Sequence, residues 1–417
     1  MRVEPGGKAA ETWAKPFSTG FPLKRSLLSP DSALSRVRGN LTDLETENIA
    51  SLAARAHGVP DMIPLWYGEG DIVTPAFIRD AAKAALDDGE TFYVPQMEGR
   101  PDLHAALTTY QADLHGIELG PERTTITPSG MQAVHIALTM VLQAGDNAVY
   151  VEPQWPNIRH AICVAGAEPR GVPLDLVEGK WVLDTDKLFD ACDARTRAII
   201  LSSPSNPNAF MADAQLYRDL LEFSRRHGIW IISDEVYARL VHEGRAAPSM
   251  LQQADPEDLV MCINGFSKAW AMTGWRIGWL NHPASVAPTV RAMTQYLNSG
   301  TASFIQAGAL AALVQGEPTV EMIRTRVRDG VDAVYEVLGR SNRVVLPEKP
   351  QGGMYVFFRF DGEEDADPVC RRLVTDAGVG LAPGALFGES FRPYVRLCVA
   401  RPAEQIAAAC ERIVAAL

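Results

Sequence analysis

The 417-residue sequence has no uninterrupted apolar stretch near the roughly 18 residues that a membrane-spanning helix needs, so no bilayer role is expected. Its first residues, Met1-Arg2-Val3-Glu4-Pro5, lack the apolar core of a secretory signal, and a cytoplasmic location is expected. Cysteine is scarce, and Cys163, Cys192, Cys262, Cys370, Cys398 and Cys410 show no paired spacing. That argues against a disulfide framework or a metal site and for reduced thiols in the interior. Basic charge is also short, with 39 Lys and Arg against 51 Asp and Glu and a formal net charge of -12. Nucleic acid is therefore not an expected partner, because phosphate binding relies on basic patches. What remains is ordinary globular composition, 47% hydrophobic and 22% charged, in a chain long enough for one large α/β domain and a smaller companion.

The most informative stretch is 265–278, Gly-Phe-Ser-Lys-Ala-Trp-Ala-Met-Thr-Gly-Trp-Arg-Ile-Gly. An apolar run, Leu259 to Ile263, reads as a buried strand, so Lys268 falls where a strand ends and a loop begins. A lysine partly stripped of water beside other cations loses its proton readily and can attack a carbonyl. Ser267 and Arg276 add a hydroxyl and a fixed cation, which suits an aldehyde that also carries a phosphate. A solvated lysine that merely follows a strand is the bland alternative.

The whole segment resembles the pyridoxal-phosphate attachment signature of class I/II aminotransferases, the fold type I group. The resemblance implies an α/β fold: a large domain with a mostly parallel seven-stranded sheet flanked by helices, plus a smaller α+β domain. Expected boundaries are an N-terminal arm at 1–35, an N-terminal part of the small domain at 36–62, a large cofactor-binding domain at 63–315, and a C-terminal small domain at 316–417. Within these, a helix is expected from Leu41 to Ala56 with Thr42 or Asp43 as cap. Helical periods also run from Asn298 to Leu313 and from Met322 to Leu338, with Glu317-Pro318 as the break.

Along the chain, Gly68-Glu69-Gly70-Asp71 resembles the family's Gly-Glu-Pro-Asp segment, with Gly70 where proline is usual. There Gly68 is a candidate for contact with the substrate carboxylate or simply a turn glycine. Tyr93 matches the tyrosine that reaches a neighbouring subunit's cofactor phosphate in the family, and a buried aromatic is the competing account. The strand at Thr124–Thr127 runs into Pro128-Ser129-Gly130-Met131, where a helix starts and its free N–H groups make an anion site. Ser129, Gly130 and Met131 thus correspond to the phosphate cradle. Trp155, just past the strand Ala148–Val151, is the candidate for stacking on the pyridine ring, against ordinary core packing.

Residues 198–208 resemble the family's Asn-Pro-x-Asn-Pro-Thr-Gly segment, which makes Asn206 the donor to the cofactor's 3-oxygen and a neighbour of the substrate. Ser203 replaces the first asparagine there, and Asn208-Ala209 replaces Thr-Gly, so loop geometry is open. Asp234, at the end of the apolar strand Ile229–Ser233, matches the carboxylate that keeps the pyridine nitrogen protonated, with a helix cap as the rival account. Tyr237, three residues on, can turn its hydroxyl toward the same oxygen as Asn206 if a helical turn follows. Arg396 lies within the apolar run 394–399 and is costly to bury unless it meets an anion. In the family its match grips the substrate α-carboxylate, and a structural salt bridge is the alternative.

The resemblance therefore implies a pyridoxal 5'-phosphate enzyme that moves an amino group from an L-amino acid to a 2-keto acid by ping-pong kinetics. Lys268, Asp234 and Tyr237 are the expected catalytic residues, and the protein is expected to be a homodimer with shared active sites. Another reaction of the same cofactor, C-S lyase, decarboxylase or racemase chemistry, would use the same residues. A cofactor-sensing transcription regulator is disfavoured, because the residues before Gly68 are neither basic nor patterned as three helices.

Overall fold

The computed structural model describes residues 33–42, 44 and 49–417. Residues 1–32 of the expected arm, the candidate cap Asp43, and residues 45–48 lie outside the described residues. The chain divides into two units, and in the first, ending at Glu47, Ala33–Arg36 forms a 3-10 turn and Gly39–Thr42 a helical turn. Instead of capping a long helix, Thr42 closes that turn by donating to the Gly39 carbonyl at 2.9 Å. The second unit, Asn48–Leu417, opens with a shorter helix than expected, Ile49–Arg55.

Seven strands make the large sheet: β1 Thr124–Thr127, β2 Asn147–Glu152, β3 Glu168–Pro173, β4 Thr196–Ser202, β5 Trp230–Asp234, β6 Val260–Gly265 and β7 Gly278–Asn281. Their order is β1-β7-β6-β5-β4-β2-β3, and β7 alone runs against its neighbours. The central strands read as unbroken Ile, Leu and Val runs because both faces are covered. Ile200, Ile232, Met261 and Ile263 pack on one face with helices α1 Gly130–Val141 and α2 Pro156–Ala165. Their neighbours in sequence, Ile199, Leu201, Ile231 and Cys262, pack on the other with α3 Ala214–His227. The period of two in a strand is thus read out as two separate cores.

After this sheet come α4 Ala287–Asn298 and α5 Ser303–Gln315. The helix expected to begin at Asn298 in fact ends there as α4, and Gly300 with φ +88° turns the chain toward a new start. The expected break falls at Gly316, and Glu317-Pro318 forms the first turn of α6 Glu317–Leu338, where proline needs no N–H partner. Val320, in that first turn, packs with the large-sheet core, whereas Ile323 to Leu338 pack on a second, four-stranded antiparallel sheet. That sheet is ordered β8-β9-β11-β10, with β8 Val344–Val345, β9 Tyr355–Phe360, β10 Ala382–Pro383 and β11 Tyr394–Cys398. Helices α7 Asp367–Asp376 and α8 Ala403–Ala416 complete its core, joined by Leu52, Ile63, Leu65 and Trp66 from the N-terminal side. Among the described residues, no helix is long and apolar enough to cross a membrane. Among the described residues, no disulfide joins any of the six cysteines.

Candidate active site

The chain progression reverses between β2 and β4: β3 lies beyond β2 on one side, and β5 and β6 follow β4 on the other. A crevice opens at such a switch point, beyond the carboxyl ends of parallel strands. Here it is a cavity of about 270 Å³. Gly130 and Met131 reach it from the start of α1, Trp155 from the start of α2, and Asn206 from the loop after β4. Asp234 comes from the tip of β5 and Tyr237 from the turn that follows. Ser267, Lys268 and Arg276 come from the β6–β7 connection, Gly68 from the segment just after Ile63–Pro64, and Arg396 from β11. A second, narrower cavity shares Gly68, Ser267 and Lys268, so the lysine stands between the two.

Lys268 Nζ donates to the Gly68 carbonyl at 2.7 Å and lies 5.6 Å from the centre of the Tyr237 ring. Burial lowers its pKa from 10.5 to about 8, so a neutral, nucleophilic amine is accessible near neutral pH. Asp234 moves the other way for the same reason. Its carboxyl accepts one backbone N–H, from Val236 at 3.2 Å, and burial pushes its pKa up to about 6. A cationic partner facing it would restore the charged form.

Arg396 is 2% exposed and forms no ion pair among the described residues. One terminal nitrogen donates to Asn206 Oδ1 at 2.8 Å, the other to the Trp66 carbonyl, and Nε has no partner. The rings of Tyr355 and Phe387 lie 4.5 and 4.8 Å from its guanidinium carbon. A buried cation held by neutral acceptors and aromatic faces suits an incoming anion. Because Asn206 Oδ1 is occupied by Arg396, the Asn206 amide nitrogen is left as the donor.

At the start of α1, Ser129 Oγ accepts the Gln132 N–H at 3.0 Å, so this hydroxyl is engaged as the helix cap rather than lining the cavity. Gly278 lets that helix start press on the sheet, since a Cβ there would sit 2.7 Å from Gly130 N and from Asn264 O. Arg276, exposed and with φ +55°, is steadied by donating to the Thr273 carbonyl at 2.7 Å. Tyr93 is not brought to the cavity: it is 82% exposed and lines a different surface depression.

In the loop after β4, Ser203 Oγ accepts the Ala212 N–H at 3.0 Å, and Asn208 bonds Ser205. Ala209 holds φ +58°, a left-handed conformation that a glycine would adopt without strain. The loop geometry left open by these departures from the family pattern is therefore closed by side-chain hydrogen bonds and one strained alanine.

Sequence reasoning overlooked Tyr355, which lines the cavity and whose hydroxyl lies 2.7 Å from that of Tyr237. It also overlooked Tyr67, Ile49, Ser202 and Thr273 on the wall. For Tyr355 the signal exists but is indirect. Phe357 is directly opposite Arg396 across β9 and β11, so Tyr355, two residues along, shares the face of Arg396. Strand register had to be known first.

A desolvated lysine, an acid facing the same cavity, and a buried arginine open to an anion define an enzyme that handles amines and carboxylates. The family model described as aminotransferase class I and II matches residues 61–413, and the chain belongs to that family. It is 30% identical over 377 residues to an aspartate aminotransferase of Pyrococcus horikoshii, covering 90% of this chain and 95% of the relative. A probable aspartate/prephenate aminotransferase of Thermus aquaticus is 31% identical over 377 residues, covering 89% and 95%. The solved aspartate aminotransferase of Thermus thermophilus with maleate superposes with a TM-score of 0.84 at 29% identity, covering 91% of this chain and 99% of that one. The protein is an aminotransferase of fold type I.

Proposed function

We propose that the chain binds pyridoxal 5'-phosphate in the 270 Å³ cavity and moves an amino group from an L-amino acid to a 2-keto acid by ping-pong kinetics. One observation carries this reading. Lys268, Asp234 and Arg396 line a single cavity, the first two with pKa values moved toward each other and the third with an unpartnered Nε. The donor set fits the cofactor end to end. The first N–H groups of α1, with Ser129 as their cap, Ser267 and the Arg276 cation suit the phosphate. Trp155 offers a flat face to the ring, Asn206 and Tyr237 offer donors to its oxygen, and Asp234 an acceptor to its nitrogen.

When bound, the cofactor supplies an aldehyde carbon that an amine can attack and a pyridine ring that draws electrons from the substrate's α-carbon. The chain's residues do the rest. Lys268 Nζ, as the neutral amine, would hold the cofactor at its aldehyde carbon and, once displaced by the substrate amine, would carry the proton from the substrate α-carbon to that same cofactor carbon. Asp234 would hold the ring nitrogen of the bound cofactor protonated, and a cation there would favour the ionised form of Asp234. Arg396 Nε and its terminal nitrogens grip the substrate α-carboxylate, and Gly68 leaves room beside it. A homodimer in which Tyr93 reaches the partner's phosphate site is part of the proposal, supported by exposed Phe92, Tyr93 and Tyr296 at 84, 82 and 83%. A domain boundary near residue 316 is proposed likewise, supported by the separate cores of the two sheets, whereas Ile63, Leu65 and Trp66 pack in the small-sheet core and carry the N-terminal part of the small domain past the expected residue 62.

The test is a half-reaction screen of the cofactor-loaded protein with the twenty amino acids and with prephenate-type and aromatic 2-keto acids. At least one amino acid is expected to convert the visible band to that of pyridoxamine phosphate, and a 2-keto acid to restore it. Ammonia or carbon dioxide without pyridoxamine phosphate would move the assignment to lyase or decarboxylase chemistry. Lys268→Ala is expected to abolish both the band and turnover.

A further inference from the structure

Tyr355 and Tyr237 are both fully buried, and among the described residues each hydroxyl has the other as its hydrogen-bond partner, at 2.7 Å. Such a contact contains one shared proton, and its direction decides what the cavity sees. If Tyr237 donates to Tyr355, it has no proton left for a ligand. If Tyr355 donates, the Tyr237 proton is free.

Two features favour donation by Tyr355. The Arg396 guanidinium lies 4.5 Å from the Tyr355 ring, and a cation stabilises the developing phenolate. Burial raises both hydroxyls, Tyr355 to about 12 with the Arg396 cation opposing it and Tyr237 well above its ordinary value. The Tyr355 hydroxyl is also walled in, because a Cβ on Gly68 would lie only 2.1 Å from its oxygen. The other ionisable groups acting on the pair are Cys398, Asp234 and Lys268.

We propose that Tyr355 is a positioning residue whose hydroxyl donates to Tyr237, committing the Tyr237 proton to the ring oxygen of the bound cofactor. This rests on the reading above, in which pyridoxal phosphate occupies the cavity and Tyr237 faces that oxygen. A donor at the ring oxygen favours the form in which the neighbouring imine nitrogen is unprotonated, since the oxyanion then lacks its internal partner. Losing the donor should therefore raise the pH midpoint of the cofactor's visible band.

The experiment titrates that band in the loaded wild type, Tyr355→Phe, Tyr237→Phe and the double variant. Tyr355→Phe is expected to raise the midpoint by a few tenths to about one pH unit. Tyr237→Phe should raise it further, and the double variant should match Tyr237→Phe alone, because the outer hydroxyl acts only through the inner one. An unchanged or lowered midpoint in Tyr355→Phe, or additive shifts in the double variant, overturns the proposal. Tyr355→Leu guards against a folding artefact: it should repeat the midpoint shift and, having lost the ring beside Arg396, also raise KM for the amino acid. If Lys268→Ala keeps the wild-type band, the cofactor reading itself fails. A titrating band that ignores Tyr355 sinks only this proposal.

Discussion

Asp234 and Glu235 are adjacent carboxyls at the tip of one strand, 6% and 3% exposed, and they lead opposite lives. Asp234 faces the cavity and accepts one backbone N–H. Glu235 faces the other way, where it accepts the Ser233 hydroxyl at 2.9 Å, the Ser249 hydroxyl at 2.7 Å and the Met250 N–H at 2.9 Å. Burial raises both pKa values. The difference lies in compensation. The fold satisfies Glu235 by itself and leaves Asp234 for something that enters the cavity, which is how a structural acid and a working acid differ when composition, burial and sequence position nearly coincide.

Substituting each in turn should separate them. The largest effect is expected for Asp234→Asn, a loss of ~10²-fold or more in turnover, since an amide cannot hold a ring nitrogen protonated. In cofactor-free protein the same change should stabilise. The unfolded carboxyl titrates near 3.8 and the folded one at about 6, so the folded state binds more protons between those values. Stability then falls as pH rises through that window, by up to roughly 3 kcal/mol, and the deficit is complete above it. Thermal melts of apo wild type should show that fall, and Asp234→Asn should flatten it; equal slopes would sink the assignment.

Glu235→Ala is the complementary experiment. It strands three donors in the interior and opens a cavity, so a loss of roughly 2–4 kcal/mol by denaturant titration is expected. The cofactor band per folded molecule should persist. A variant that folds normally but loses the band would erase the distinction. The smallest change expected is for Ala209→Gly, in the loop that holds Asn206. Relief of the φ +58° conformation, less the extra freedom of an unfolded glycine, leaves a gain of under about 1 kcal/mol in the melt.

The contacts behind these predictions were legible to different degrees. Lys268 could be read because its neighbours form one contiguous match and the strand before it is an unbroken apolar run. Arg396 stood out because a lone cation in an apolar strand demands an anion. Tyr355 did not, since an aromatic in a buried strand is ordinary and its role depends on a partner 118 positions away. The start of α5 was misread at Asn298, where α4 ends, because the turn at Gly300 that separates the two helices shows only in the backbone.

Local chemistry in the sequence alone determined the strand-end lysine, the acid three residues before a tyrosine and the glycines at close approaches, and hence the family resemblance from which the cofactor is expected. Those features depend on neighbours along the chain, where spacing and residue type are visible. Tertiary structure alone decided which of two adjacent acids faces the cavity, which tyrosine hydroxyl meets which, and that Arg396 Nε meets no partner among the described residues. These follow from strand register and from the meeting of the Trp66–Gly68 segment with β11 at one cavity, contacts between segments up to 330 positions apart whose pairing no local pattern encodes.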